Sequence, residues 1–381
     1  MSTLNRVALL TSYIAPYRTA LFKDLERCCR ELKIFVLQPV ESSRGWSVDW
    51  KDLPVQQQRS VSVPGARSHP QGFREREPIH IPYDTIPQLM RFDPDVILSD
   101  EFGLRTLQAA AYRKTRSASR LVIWAKVSEV TEQGRGRLRS LLRRKLLRMA
   151  DAVIVNGASG ARYVRQFGAV QERVFRVPQT TDVGPFMAVP LARPSSARRR
   201  FLYCGQLTQR KGLVPFVSHL AAFARAHPNQ ALEMWFAGDG PLRAELAEFR
   251  RPDNLDFAFL GNVPYDRLPE VYGQAGILVF PTLADEWGLV VVEAMAAGLP
   301  VLGSLYSQAV EDLVTDGVNG WTFRPDHALD LRSALNRAVG APVEEIDRMG
   351  RHARNRVRDL TPELMSRQMM TAMEYAYARH T

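Results

Sequence analysis

The sequence predicts an α/β protein built from two doubly wound, Rossmann-like domains. Three features lead there. Short apolar runs recur along the chain, each ending at a turn of Gly, Pro, Asn or acidic residues, and most are followed by a stretch with helical spacing. That alternation is the pattern of parallel sheets covered by helices. The 381 residues are enough for two domains of ordinary size. A stretch with Pro185, Pro190, Pro194, Ser195 and Ser196 divides them. The division gives a first domain over 1–180, a linker over 181–200, a second domain over 201–360 and a terminal helix over 361–381.

Composition narrows the class. The chain is 45% hydrophobic and 24% charged, which is globular. Its three cysteines, Cys28, Cys29 and Cys204, provide no disulfide framework and no zinc spacing. Cys204 closes an apolar run and reads as a small buried hydrophobe rather than a nucleophile. No apolar stretch approaches the roughly 18 residues of a spanning helix, and the N-terminus lacks the pattern of a signal peptide. A cytoplasmic location is the expectation. Charge is uneven: residues 1–180 hold 30 Lys and Arg against 17 Asp and Glu, residues 181–381 hold 21 against 23. The basic half calls for an anionic partner, namely a membrane surface, a phosphorylated acceptor or nucleic acid. Nucleic acid is the poorest fit, because the basic residues are not interleaved with aromatics and no groove-reading motif occurs.

In the first domain, Arg6 to Leu10 reads as a strand, the turn Thr11 to Arg18 follows, and a helix runs from Thr19 to about Arg30 with Leu21, Phe22 and Leu25 on one face. Such a strand-to-helix turn is where doubly wound domains place ligands. Ile34 to Leu37 is a second strand. Residues 41–82 are poor in helical pattern and read as long loops and short strands. Val96 to Ser99 is a strand ending at Asp100, an acid whose ordinary use would be to cap the next helix. Leu121 to Ala125, Asp151 to Asn156 and Val174 to Val177 are further strands. Between them, Leu138, Leu141, Leu142, Leu146 and Met149 make one face of a helix whose sides carry Arg139, Arg143, Arg144 and Arg148. This basic amphipathic segment, 135–149, is suited to an anionic membrane surface, or is a core helix with a solvated arginine face.

The second domain opens with strand Phe201 to Cys204 and a loop bearing Arg210 and Lys211. It is no Walker loop, but it sets two cations at a strand's C-terminal end. Leu232 to Ala237 is a strand, with a helix start at Pro241 after a glycine turn. Ile277 to Phe280 is another, stopped by Pro281. The stretch PTLADEWGLVVVEAMAAGLP (281–300) then reads as a strand exit, an acidic loop and a short helix ended by Gly298 and Pro300. A helix N-terminus behind Gly288 offers free N–H groups to a phosphate. Glu293 lies about one and a half turns into the helix, too far in to cap it, and suits a pair of neighbouring hydroxyls such as a ribose. Asp285 stays in the loop. The same residues also fit an ordinary strand-to-helix crossover with solvated acids. Val301 to Gly303 is a strand, 315–320 a turn, and 327–340, 343–358 and 362–379 are helices.

These stretches resemble the retaining glycosyltransferases of family 4, also called glycosyl transferases group 1, which have the GT-B fold. In the family's C-terminal signature, an acid is followed after seven residues by Glu, with F/W-G inside and EAMA-x-G-x-P after. Asp285 takes the first position, where Glu is usual, and Glu293 the second, with Trp287 and Gly288 between. Gly205, Leu207, Lys211 and Gly212 match G-R-L-x-x-x-K-G. Gln206 departs from the Arg of that motif, and Arg210 would supply the charge. Gly261 and Val263 resemble a segment whose backbone meets the nucleotide base, and 315–320 resembles the family's "dg-x-x-G" hairpin. Tyr13, Pro16, Tyr17 and Arg18 resemble the Y-x-x-P-Y-R opening of some members. Asp100 stands where many members have a His. The resemblance is densest over 201–325 and thinnest between the N-terminal turn and residue 200.

The resemblance implies two Rossmann-like domains facing across a cleft, with the terminal helix packing back towards the first. It implies transfer of a sugar, with retention, from a nucleotide-diphosphate donor to a hydroxyl of a glycan, lipid-linked or small-molecule acceptor, as in polysaccharide biosynthesis. Lys211 and Arg210 would offset the diphosphate charge, Glu293 would hold the ribose and Asp285 the sugar ring. Gly205, Gln206, Val263, Glu286, Trp287, Gly288 and Leu289 would complete the donor site. Tyr13, Tyr17, Arg18 and Asp100 would face the acceptor. Neither metal nor cofactor is expected, and the leaving phosphate would take the acceptor's proton. A nucleotide-sugar 2-epimerase of the same fold and a non-catalytic sugar-nucleotide binder are the alternatives. Product analysis with donor alone separates the first, and turnover the second.

Overall fold

A computed structural model describes residues 4–38, 50, 52–76, 78–194 and 197–379. The chain divides into two compact units. Unit 1 takes residues 1–70, 74–182 and 361–381, and unit 2 takes 71–73 and 183–360.

Unit 1 begins with β1 (Arg6–Thr11), β2 (Glu31–Val36) and β3 (Val55–Gln57). β4 (Ser60–Val63), β5 (Ala66–Ser68), β6 (Arg74–Arg76) and β7 (Ile79–Pro82) form two antiparallel ribbons, β4 with β7 and β5 with β6. These are the short strands expected in 41–82; residues 41–49, 51 and 77 of that stretch lie outside the described residues, as do Ser195 and Ser196 of the linker. β8 (Val96–Asp100), β9 (Arg120–Ala125), β10 (Ala152–Val155) and β11 (Val174–Arg176) complete a seven-stranded parallel sheet in the order β11-β10-β9-β8-β1-β2-β3. β8, β9 and β10 are buried at every residue. This is why their sequences run apolar without alternation: helices cover both faces.

The helices of unit 1 are α1 (Thr19–Cys28), α2 (Thr85–Phe92), α3 (Leu104–Thr115), α4 (Arg137–Met149) and α5 (Ala158–Gln166). α1 buries Leu21, Phe22 and Leu25, the face its spacing foretold. α4 does not follow its spacing. Leu146 and Leu147 are buried, but so is Arg143, while Leu138 is 82% and Leu141 64% exposed. Arg143 turns inward because Glu132 pairs with it and its guanidinium bonds the Tyr163 hydroxyl, so the charge is matched where it is buried. The apolar stripe read from the sequence is therefore split: its N-terminal part faces outward.

Unit 2 holds α6 (Gly184–Met187), α7 (Leu213–Ala226), α8 (Arg243–Ala247), α9 (Leu268–Gly273), α10 (Leu289–Ala296), α11 (Gln308–Leu313), α12 (Ala328–Gly340) and α13 (Val343–Val357). Its strands are β12 (Arg200–Cys204), β13 (Leu232–Ala237), β14 (Leu255–Gly261), β15 (Ile277–Phe280), β16 (Val301–Ser304) and β17 (Gly320–Phe323). They form a parallel sheet in the order β14-β13-β12-β15-β16-β17. The turn at 315–320 does not make a hairpin: a helix, α11, and not a strand leads into it, so β17 leaves it to lie parallel to β16.

Residues 361–381 return to unit 1 as α14 (Pro362–Ala378), capped by the Thr361 side chain, which accepts from the Leu364 N–H at 3.3 Å. α14 packs on α1, β9 and β10 and buries Met365, Met369, Met370 and Met373 beside Leu21, Phe22 and Leu25. Ser366 donates to the Asp24 carboxylate of α1. Met369 is fully buried in this core. Met369→Ala should cost about 2–5 kcal/mol of unit 1 stability, read as a lower denaturant midpoint by tryptophan fluorescence.

Candidate functional site

In unit 2 the strand order reverses between β12 and β15, the first and fourth strands of the sheet. Beyond the carboxyl ends of those two strands is where an open parallel sheet forms a ligand crevice. The loop 205–212 leaves β12 and the loop 281–288 leaves β15, so the two motifs singled out in the sequence meet there. Two hydrogen bonds join them: the Leu283 N–H donates to the Arg210 carbonyl at 2.8 Å, and the Thr282 hydroxyl donates to the same carbonyl at 3.3 Å. Gly212 makes the approach possible. It sits at φ +65°, and a Cβ there would lie 2.2 Å from the Pro281 carbonyl oxygen.

Four charges converge on this junction. Lys211 Nζ donates to Asp285 Oδ2 at 2.5 Å, and Arg210 Nη1 lies 3.4 Å from Glu286 Oε2. The Trp287 N–H donates to Asp285 Oδ1 at 3.3 Å, so both carboxylate oxygens are engaged. Burial alone would raise the Asp285 pKa, but Lys211 and Arg210 outweigh it and hold the carboxyl below its usual range. Burial, with Arg210 alongside, lowers Lys211, and Asp285 offsets only part of that. The Lys211 ammonium also lies 5.3 Å from the centre of the Phe280 ring.

The acidic loop is clamped from behind. Ser307 Oγ donates to the Trp287 carbonyl and Gln308 Nε2 to the Glu286 carbonyl, each at 2.5 Å, and the Asp285 N–H donates to the Tyr306 carbonyl at 3.0 Å. Gly288, at φ +105°, precedes α10; a Cβ there would meet the Phe280 ring at 2.7 Å. Leu289 is the first residue of α10 and half-buried. The Trp287 side chain does not line the junction. It is 2% exposed and packed in the core, leaving its backbone as the part available to a ligand. The C-terminus of α10 is held by two arginines. Arg193 Nη2 donates to the Ala297 carbonyl at 2.7 Å, and Arg354 Nε to the Ala296 carbonyl at 2.9 Å. Cations at a helix C-terminus oppose its partial negative charge.

Glu293 is the fifth residue of α10 and 3% exposed. Its carboxylate accepts from the Tyr272 hydroxyl at 2.9 Å and also bonds Tyr265. Neither tyrosine was assigned a role from the sequence. Their place in the segment after Val263 carried no signal, since a tyrosine in an amphipathic helix reads as core. Burial raises Glu293 to about 7, against the pull of both hydroxyls. Cys204 lies beside this group, pushed up to about 12 by burial and by Glu293, so it is a protonated thiol and no nucleophile. Gly205, next in the chain, has its N–H donating to the Ala237 carbonyl at 2.9 Å. The Gln206 carbonyl accepts from the Tyr203 hydroxyl at 2.7 Å. Val263 follows β14 and is half-buried against the core.

Unit 1 has its own reversal, between β1 and β8. Arg18 follows β1, Asp100 ends β8 and Lys126 follows β9. Asp100 Oδ2 accepts from Thr11 Oγ1 at 3.0 Å and lies 2.7 Å from Lys126 Nζ and 3.7 Å from Arg18 Nη1. Asp100 therefore does not cap the next helix; Gly103 precedes α3, and the acid is spent on cations. Burial would raise its pKa, but Lys126, Arg18 and Arg105 overcome that and lower it. Tyr13 and Tyr17 are half-buried in the turn, and the Arg18 guanidinium stands 5.8 Å from the Tyr17 ring centre and 5.3 Å from that of Trp124. Lys126 and Arg105 were not singled out from the sequence. Lys126 directly follows a strand end, which was a usable signal; Arg105 offered none.

The comparisons with known proteins agree with this architecture. Residues 198–340 match the family described as "Glycosyl transferases group 1", and residues 14–180 match the "Glycosyl transferase 4-like domain". Among solved structures, sucrose-phosphate synthase from Thermosynechococcus elongatus superimposes with TM-score 0.72 at 18% identity, covering 98% of this chain and 100% of that one. Anabaena HepE, solved in complex with UDP and glucose, gives TM-score 0.69 at 15% identity over 96% and 98%. The fold is GT-B. The chain belongs to the glycosyl transferases group 1. Among curated relatives it is 28% identical over 235 residues to D-inositol 3-phosphate glycosyltransferase of Nocardia farcinica, covering 56% of this chain and 50% of that protein. It is 23% identical over 292 residues to sulfoquinovosyl transferase SQD2 of Arabidopsis thaliana, covering 72% and 56%. The matches thus span about half the length of these relatives.

Two outcomes test the geometry. Gly212→Ala adds a clash to the ~1–2 kcal/mol of a left-handed L-residue and should lower the melting temperature of unit 2, read by calorimetry. For Glu293 the sign follows from a raised acid pKa. Between pH 4.5 and about 7 the unfolded chain loses the proton that the fold retains, so stability falls as pH rises through that window and stays low above it. Glu293→Gln should remove this loss, on the order of 3 kcal/mol at pH 8 and near zero at pH 4. Denaturation of both proteins across that range reads the difference.

Proposed function

We propose that the protein transfers a sugar, with retention at the anomeric carbon, from a nucleotide-diphosphate donor to a hydroxyl of a glycan, lipid-linked or small-molecule acceptor. The observation that carries the reading is the convergence of Lys211, Arg210, Asp285 and Glu286 beyond the ends of β12 and β15, with Glu293 following in α10. A diphosphate leaving group gains negative charge as the glycosidic bond breaks. A lysine with N–H groups beyond the one on Asp285, an adjacent arginine and the first turn of α10 offer that charge fixed donors. Asp285, held ionised by Lys211, suits the hydroxyls of the sugar, and Glu293 suits those of the ribose. The leaving phosphate takes the acceptor's proton, since Asp285 is tied to Lys211 and Glu293 to two tyrosines. Anabaena HepE, solved with UDP and glucose, makes UDP the first donor nucleotide to try.

We place the protein peripherally on an anionic membrane face through α4. Among the described residues no helix is long and apolar enough to cross a membrane. Leu138 and Leu141 point outward among Arg137, Arg139, Arg144, Lys145 and Arg148, the composition of an interfacial helix. Each basic residue near such a surface contributes about 1 kcal/mol.

Thermal-shift measurements with UDP, GDP, ADP and dTDP test the donor site. A nucleotide at about 100 times its dissociation constant adds about 2.7 kcal/mol. One of the four should stabilise wild type, and the gain should shrink in Lys211→Ala. Turnover by that variant should fall roughly 10²–10³-fold. No stabilisation of wild type by any of them sinks the donor reading. For the membrane, wild type should sediment with phosphatidylglycerol vesicles, less so in high salt, and not with phosphatidylcholine. Leu138→Ser with Leu141→Ser should release it.

A further inference from the structure

The cation cluster of unit 1 contains more positive charge than its own carboxylates match. Arg18, Arg105 and Lys126 surround Asp100, and Glu101 is the second acid present, 3.3 Å from Lys126. Arg105 is the least satisfied of the three. It is 5% exposed, its Nη2 donates to the Ser12 hydroxyl at a long 3.4 Å, and its Nε and Nη1 find no acceptor among the described residues. Arg18 Nε and Trp124 Nε1 are likewise buried without an acceptor. A buried guanidinium ordinarily finds partners for its two terminal nitrogens, as Arg143 in the same unit does with Glu132 and Tyr163. Burial drives the Arg105 pKa below its usual range in spite of Asp100 and Glu101. The surroundings are short of negative charge.

The cluster also stands where a ligand would be received, at the strand reversal of its sheet. Glu101 is the exposed acid of the cluster, beside Lys126. Its backbone is left-handed at φ +69°, kept there by its N–H on the Trp124 carbonyl and by Thr106 Oγ1 on its own carbonyl. An incoming anion need only compete with this solvated carboxylate for Lys126.

We propose that this cluster binds a phosphate ester carried by the acceptor, with Arg105 as its principal contact and Arg18 and Lys126 completing the cradle. A phosphate offers more acceptor oxygens than a carboxylate, which suits the unpaired N–H groups on two arginines, and its charge closes the deficit. The assignment rests on the transferase reading above. Such a phosphate belongs to a soluble sugar phosphate or to a lipid.

The test is a thermal shift on the full chain with inorganic phosphate in the millimolar range, in saturating UDP so that the donor site is already filled. Wild type should gain a few degrees from phosphate on top of UDP. Arg105→Met should lose that gain, keep the gain from UDP, and match or exceed wild-type stability without phosphate, because it removes an unmatched buried charge. A merely structural arginine would leave Arg105→Met less stable and phosphate without effect on either protein. Lys126→Met, in a partly exposed position, should reduce the gain and serves where Arg105→Met folds poorly. A wild type unmoved by phosphate while the nucleotide stabilises it overturns the cluster's role and leaves the donor reading standing; where UDP does not stabilise wild type, whichever of GDP, ADP and dTDP does takes its place in the assay, and only indifference to all four defeats the donor reading. Glucose 1-phosphate and vesicles with phosphatidic acid separate the sources. A shift with the sugar phosphate marks a soluble acceptor, and vesicle binding that Arg105→Met loses marks a lipid one.

Discussion

The contact of the loop after β12 with the loop after β15 is the constraint on which unit 2 depends. One carbonyl, that of Arg210, accepts from both Leu283 and Thr282, and Gly212 has no side chain in the way. Without that approach Lys211 would not reach Asp285, and Arg210 would not reach Glu286. The charges follow from the backbone. Parallel strands bring successive loops to the same edge of the sheet, and the reversal of order between β12 and β15 leaves room between those loops.

The two units solve a similar problem in different ways. In unit 2 the two cations each have an acid of their own, and the acids are locked from behind by Ser307, Gln308 and the Tyr306 carbonyl. In unit 1 three cations share Asp100, whose Oδ2 takes every bond while Oδ1 takes none. The first arrangement is nearly neutral and well satisfied. The second is not, and a buried polar network that is partly satisfied is costly unless something else completes it.

Much of this was legible in the sequence, for physical reasons that can be named. A strand buried on both faces must be apolar throughout, so Ile277–Phe280 could be read to the residue; Leu232–Ala237 could be read as well, from its apolar residues around a half-buried Glu233 that pairs with Arg200. The glycine behind α10 could be read because its backbone and the Phe280 ring leave no other choice. What escaped were side-chain pairings between distant parts of the chain. Arg143 looked solvated because nothing near it in the helix revealed Glu132. Asp100 looked like a cap because a strand-end acid usually is one; of its three cations, Arg18 and Lys126 come from other connections, after β1 and β9, and Arg105 from the first turn of α3. Tyr272 and Tyr265 were given no role, and both hold the carboxylate of Glu293. The hairpin expected at 315–320 failed because local turn residues do not say which side of a sheet the next strand will join.

The two arginines at the C-terminus of α10 have a consequence for the other end of that helix. With the Ala296 and Ala297 carbonyls held by Arg354 and Arg193, the last turn of the helix is tied from outside, which opposes fraying and keeps its peptide dipoles aligned. An anion arriving at the first turn therefore meets a field already aligned. Little solvent or backbone has to reorient as its charge grows, so the reorganisation energy on that side is small. Arg193 and Arg354, at the other end of α10 from the proposed diphosphate, then act as ballast: loosening them would weaken the response at Leu289 without removing a single contact there.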